Sequence, residues 1–273
     1  MEIKKLLEIM VEKKASDLLI SANALPRARI NGKVQVIWNQ KLSADQVSAI
    51  ADHLLSTEER RRHFTEKLDI DFIYQEPETG RFRINISRDR GNPAIVARHV
   101  HTTVGNFDEL NLPVSILQKF CEESSGLVII SGPAGSGKST TIASMIESIN
   151  QTQEKHIVTI EDPIEFIFDD KRSLINQREL EADVTSYPAA LKHVTQQSAD
   201  IIYIGTIRDV ETMRAAISAT ELGTFVVTTF HTVNAVQAIT RIVNFFPPYL
   251  HDEVRMQLSI ILKGVVSLRL LPR

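Results

Sequence analysis

At 273 residues the chain is long for a single core and comfortable for two domains. Its 43% hydrophobic and 24% charged residues are ordinary for a globular protein, and a formal net charge of −3 supplies no global basic field to recruit nucleic acid. The single cysteine, Cys121, excludes an internal disulfide and a multi-cysteine zinc site and fits a reducing cytosol, and no run approaches the roughly 20 apolar residues that span a bilayer.

The start of the chain alternates charged with apolar residues and lacks a signal-peptide core, so any membrane role is expected to be indirect. Ile3, Leu6, Leu7, Met10 and Val11 are spaced for one face of a helix. Short runs at 17–20, 28–30 and 34–37 predict strands, and Asn31-Gly32 between the last two is a hairpin signal. Ser43-Ala-Asp-Gln46 and Ser56-Thr-Glu-Glu59 have the form of capping boxes that open two helices. Strand-like runs return at 69–74, 81–86 and 94–100. Residues 102–112, with Gly105, Asn106 and Asp108, read as a linker, and Pro113 starts a helix that runs to about Glu123.

Beyond that point the pattern changes. Strand-like segments at 127–130, 156–160, 201–204 and 225–229 alternate with helix-like segments at 138–150, 185–197, 210–222 and 234–243. Near-continuous apolar strands alternating with helices predict an α/β fold, a parallel sheet covered on both faces. The expected organisation is a small α+β domain over 1–101, a linker over 102–112 and a P-loop α/β domain over 113–273.

Gly132-Pro-Ala-Gly-Ser-Gly-Lys138-Ser139 lies between the strand 127–130 and the following helix, the context a phosphate-binding loop requires. Glycines let the backbone curl and aim its amides at phosphate oxygens, and the helix N-terminus adds a positive dipole end. The residues expected to hold ATP are Gly132, Gly135, Ser136, Gly137, Lys138, Ser139 and Thr140. Lys138 suits the β- and γ-phosphates and Ser139 offers a hydroxyl to Mg²⁺.

Hydrolysis also needs a group to orient or deprotonate water. Glu161 and Asp162, in Thr159-Ile-Glu161-Asp162-Pro163-Ile-Glu165-Phe166, sit at a strand end, where they are either a site or a solvated turn fixed by Pro163. The segment 200–209 is a buried strand ending in Gly205-Thr206-Ile207-Arg208-Asp209, which suits a Walker B site, with Asp209 also placed to cap the next helix. His231, after Thr228-Thr229-Phe230, is either structural or functional.

Together these segments, with Lys14-Ala-Ser-Asp-Leu18, Gly80-Arg-Phe-Arg-Ile-Asn85, Asn176-Gln-Arg-Glu179 and Phe230-His-Thr-Val-Asn-Ala235, resemble the PilT/PilU retraction ATPases of type IV pili, within the type II/IV secretion ATPase superfamily. The resemblance runs over nearly the whole length. It implies a PAS-like N-terminal domain, a RecA-like ATPase domain and a homo-hexameric ring with nucleotide between subunits. It further implies that Glu161 positions water, that His231 senses the nucleotide and that Arg81, Arg83 and Arg98 reach bound phosphate. A cytoplasmic protein peripheral to the inner membrane through a pilus platform protein is the implied setting.

Three departures stand out. Thr206 occupies the place of the family's water-activating Walker B glutamate, and a threonine hydroxyl is no useful general base at neutral pH. Lys192 and Gln196 lie where arginines are usual. The chain stops at Leu271-Pro272-Arg273, where the family continues with further strands and helices. The expectations are thus a retraction ATPase or, with Thr206, an ATP-binding accessory partner of an active paralogue. An assembly or secretion ATPase is disfavoured by the single cysteine, and nucleic acid is not an expected partner.

Overall fold

The computed structural model describes residues 3–100 and 103–271. The expected boundary at His101 and Thr102 and the chain end at Pro272 and Arg273 fall outside the described residues. Contacts divide the chain into two compact units, 1–101 and 102–273.

The first unit contains α1 (Ile3–Glu12), β1 (Asp17–Ser21), β2 (Arg27–Ile30), β3 (Lys33–Val36), α2 (Ala44–Leu54), α3 (Glu58–Lys67), β4 (Asp69–Glu76), β5 (Gly80–Asp89) and β6 (Asn92–Val100). Its strands form one antiparallel sheet of order β3-β2-β1-β6-β5-β4. The hairpin between β2 and β3 forms as expected. Asn31 and Gly32 both take positive φ (48° and 76°), the pairing a two-residue turn of this twist demands. At α2 the capping box closes: the Gln46 N–H donates to Ser43 Oγ and the Ser43 N–H to Gln46 Oε1. At α3 the cap is Thr57, one residue later than expected, because its hydroxyl accepts from the Arg60 N–H.

Phe82, Ile84 and Ile86 of β5 point into a core shared with Leu6, Leu7 and Leu18, while Arg81, Arg83 and Asn85 alternate onto the opposite face. There the register lines up Arg29, Asp17, Arg98 and Arg83 across four strands. Asp17 is buried between two guanidiniums, 2.9 Å from Arg98 and 3.4 Å from Arg29.

The second unit contains α4 (Val114–Cys121), β7 (Gly126–Ser131), α5 (Lys138–Thr152), β8 (His156–Glu161), β9 (Leu174–Glu179), α6 (Tyr187–Val194), β10 (Ile201–Ile204), α7 (Val210–Glu221), β11 (Phe225–Phe230), α8 (Ala235–Asn244), α9 (His251–Ile261) and β12 (Leu262–Ser267). All pairings in its sheet are parallel, in the order β12-β7-β11-β10-β8-β9. β7, β10 and β11 are buried along their whole length, which is why they read as unbroken apolar runs. Alternate residues feed two cores. Leu127, Ile129, Ile202 and Val226 pack with α6 to α9, and Val128, Ile130, Tyr203 and Val227 pack with α4 and α5.

Three elements were not anticipated: β9, α9 and β12. The helix expected over 185–197 is shorter, because Ser186 caps it by accepting from the Ala189 N–H and the chain turns after Val194. Within 103–112, Phe107 is buried in the α4–α5 core and Gly105 accepts a bond from Ser144 Oγ, so this stretch is packed rather than a free tether.

Candidate nucleotide site

In a parallel sheet covered on both faces, polar chemistry gathers at the carboxyl ends of the strands. Here those ends present the glycine-rich loop after β7, Thr229-Phe230 at the end of β11, Gly205-Thr206 after β10 and Glu161 at the end of β8. β7 and β8 are separated by β11 and β10, about 14 Å between strand axes.

Gly132 must be glycine. Its φ is +152°, and a Cβ would lie 2.5 Å from the Leu268 carbonyl oxygen and 2.4 Å from Ser136 Oγ. Gly135 and Gly137 also take positive φ, and a Cβ at either would meet nothing within 4 Å, so the loop wraps open space. Ser136 Oγ is buried with no hydrogen-bond partner. An orphaned hydroxyl in a curled loop at a helix N-terminus fits a phosphate oxygen. Lys138 is buried, and its ammonium donates to the carbonyls of Gly132 (3.0 Å) and Pro133 (2.8 Å). Burial lowers its pKa, against which the Glu165 carboxylate acts. Ser139 and Thr140 follow in the first turn of α5, and Thr141 closes that turn through the Gly137 carbonyl (2.9 Å). Ser139 carries a hydroxyl of the kind that could meet a metal held by phosphates.

Glu161 is 6% exposed. Its Oε1 accepts from Thr159 Oγ1 at 2.6 Å and from Gln177 Nε2 at 3.4 Å. Burial pushes its carboxyl up to about 7, partly opposed by these hydrogen bonds, so it ionises near neutrality. Asp162, beside it, pairs with Arg208 at 3.7 Å.

Thr206 is occupied. Its hydroxyl lies 2.8 Å from Thr229 Oγ1, and Thr229 Oγ1 donates to the Gly205 carbonyl. With the Thr229 proton committed there, Thr206 is the donor of the pair, and its oxygen keeps only acceptor capacity. Tyr187 closes this pocket: a Cβ on Gly205 would be 3.0 Å from its hydroxyl, and burial raises its pKa well above the usual phenol range, so it stays protonated. Asp209 is spent on structure, accepting from both the N–H and the hydroxyl of Thr212 at 2.8 Å.

His231, the first residue past β11, is exposed. Partial burial and then the Lys138, Arg208 and Arg241 charges lower its pKa, so it is a neutral imidazole at pH 7 within reach of the loop lysine. In the first unit, Arg83 pairs with Asp71 (3.2 Å) and Arg98 with Asp17, while Arg81 Nε is buried with no partner. The strand-end row therefore unites the loop, Glu161 and His231, and the three arginines belong to the other unit's sheet. The motifs read along the chain contain Thr159, Glu165, Gln177 and Thr229 without giving them a role, and Tyr187 lies outside them. The sheet order, which puts β9 beside β8 and β11 beside β10, brings Gln177 and Thr229 to the site.

Comparison with known proteins agrees with this architecture. The family model described as type II/IV secretion system protein matches residues 3–273. The type IV pilus ATPase PilU of Pseudomonas aeruginosa is 39% identical over 272 residues, which cover 100% of this chain and 71% of that protein. The pilus retraction ATPase PilT of the same organism is 37% identical and is covered over 79% of its length. A crystal structure of the pilus retraction motor PilT with bound ADP superposes with a TM-score of 0.93 at 39% identity, over 100% of this chain and 79% of that one. Among the described residues no helix is long and apolar enough to cross a membrane.

Proposed function

Because the chain belongs to the type II/IV secretion system protein family, in its PilT/PilU group of P-loop ATPases, we propose that it is a hexameric motor that hydrolyses ATP to drive pilus retraction. The observation that carries hydrolysis is Glu161: a buried carboxylate at a strand end, held by two side-chain donors and poised to ionise near pH 7.

In this reading the amides after Gly132 cradle the phosphates, and Lys138 exchanges two loop carbonyls for β- and γ-oxygens. Ser139 would hold Mg²⁺, which supplies charge neutralisation on those oxygens. Glu161, ionised, takes the proton of the attacking water. Thr206 contributes an acceptor oxygen that orients this water without deprotonating it. His231, being neutral, gives a phosphate oxygen a hydrogen bond rather than a charge. Arg81 has an unused buried N–H, whereas Arg83 and Arg98 would have to share their aspartate partners with a phosphate. The domain preceding the ATPase is read as PAS-like, and the protein as cytoplasmic, reaching the inner membrane through a pilus platform protein.

Steady-state turnover tests this reading. Glu161→Gln lowers kcat on the order of 10²–10⁴-fold while ATP still binds. A Glu161→Gln protein with undiminished turnover sinks it. The engaged Thr206 favours one alternative, an ATP-binding subunit that serves an active paralogue and barely hydrolyses by itself. If so, the wild type turns over no faster than Lys138→Ala, and Thr206→Glu raises the rate markedly.

A further inference from the structure

The two side-chain donors on Glu161 come from neighbouring strands and meet on one oxygen, and a backbone hydrogen bond from Glu165 adds to them on the same carboxylate. Thr159 lies two residues earlier on β8 and is 0% exposed; Gln177 is its register partner on β9. Apolar Ile157, Val158 and Ile160 surround Thr159 in the strand, and a valine would fill its space. Its hydroxyl instead makes one side-chain hydrogen bond, to Glu161 Oε1 at 2.6 Å, the length of a charge-assisted O–H···O⁻ bond.

Gln177 is itself held in one orientation. Its Nε2 donates to the Phe166 carbonyl at 2.7 Å and its Oε1 accepts from the Phe168 N–H at 3.0 Å. Flipping the amide would set like against like at both places. The loop that follows Glu161 therefore fixes Gln177, which then presents its second N–H to Glu161. The terminal torsion of a glutamate is broad and roughly two-fold, so an unpinned carboxyl would spread over many orientations.

We propose that Thr159 and Gln177 are positioning residues that pin Oε1 of Glu161 and so present its other oxygen to the attacking water in a single orientation. This rests on the reading that Glu161 serves the water.

The test compares the full chain with Thr159→Val, Thr159→Ser, Gln177→Met and Glu161→Gln. Glutamate carboxyl titration, followed by ¹³C NMR and assigned through the signal lost in Glu161→Gln, needs no turnover. Thr159→Val removes a donor to the charged form and moves the Glu161 titration upward by about one pH unit. Gln177→Met moves it the same way by less, and Thr159→Ser returns it toward wild type. In turnover, Thr159→Val lowers kcat about tenfold with KM for ATP changed by less than about twofold. On the Glu161→Gln background it adds no further loss.

A Glu161 titration unmoved in folded Thr159→Val or Gln177→Met protein overturns the proposal, as does an additive loss on the Glu161→Gln background. Gln177, partly exposed on the sheet edge, keeps the test available if Thr159→Val does not fold. Wild-type turnover by Glu161→Gln instead removes the underlying reading, and the proposal with it, whatever the titrations show.

Discussion

The molecule holds two six-stranded sheets that solve the placement of polar groups in opposite ways. The antiparallel sheet of the first unit buries one face and leaves the other polar, so charge can lie mid-strand, as in the row Arg29-Asp17-Arg98-Arg83. The parallel sheet of the second unit buries both faces of β7, β10 and β11, so its chemistry is confined to the strand ends. A strand's position in the sheet, more than its composition, decides where a functional side chain can stand.

Paired alanine substitutions make the comparison breakable. In the second sheet, neighbours on a strand are both core: Ile129→Ala and Ile130→Ala should each cost about 2–5 kcal/mol in denaturant unfolding. In the first sheet, Ile84→Ala should cost about as much, while its neighbour Asn85→Ala, on the polar face, stays within about 0.5 kcal/mol. Equal losses at Ile84 and Asn85 would refute the one-sided description.

The strand-end carboxylate sharpens the contrast through pH. Burial raises the Glu161 pKa to about 7, and catalysis needs the ionised form. The rate constant kcat should therefore fall about tenfold per unit as pH drops below 7, a limb that Glu161→Gln removes. The stability contribution has the opposite sign. The folded chain holds this proton where the unfolded chain has released it, so this group's contribution is full below the ordinary glutamate range and is lost as pH rises through about 7. A smaller effect than the core truncations is expected at Asp209, which is spent on a cap: Asp209→Ala should cost about 1 kcal/mol, read as a lowered Tm.

What the sequence disclosed followed the range of the interactions. The loop, the hairpin at Asn31-Gly32, the Ser43 box and the Asp209 cap all close within a few residues, and each was readable. β9 (Leu174–Glu179) escaped because an edge strand tolerates Asn176, Gln177 and Arg178. α9 and β12 escaped because Ile261 passes into Leu262 with no glycine or proline to mark the change. Ser56 and Thr57 offer the same hydroxyl chemistry, and which of them caps α3 is set by where the chain turns in. At the site, Glu161 was visible as a strand-end acid, but its partner Gln177 and the Thr206–Thr229 pair depend on strand order, which local patterns do not encode.

One further contact bears on how the loop could be observed. The Gly132 amide donates to the Phe230 carbonyl at 3.1 Å, immediately before His231. That N–H is thus withheld from phosphate and serves as a tether to β11. A shift of the His231 segment that carries the Phe230 carbonyl with it stretches this bond, so the solvent exchange rate of the Gly132 amide is a local gauge of whether the histidine and the loop move together.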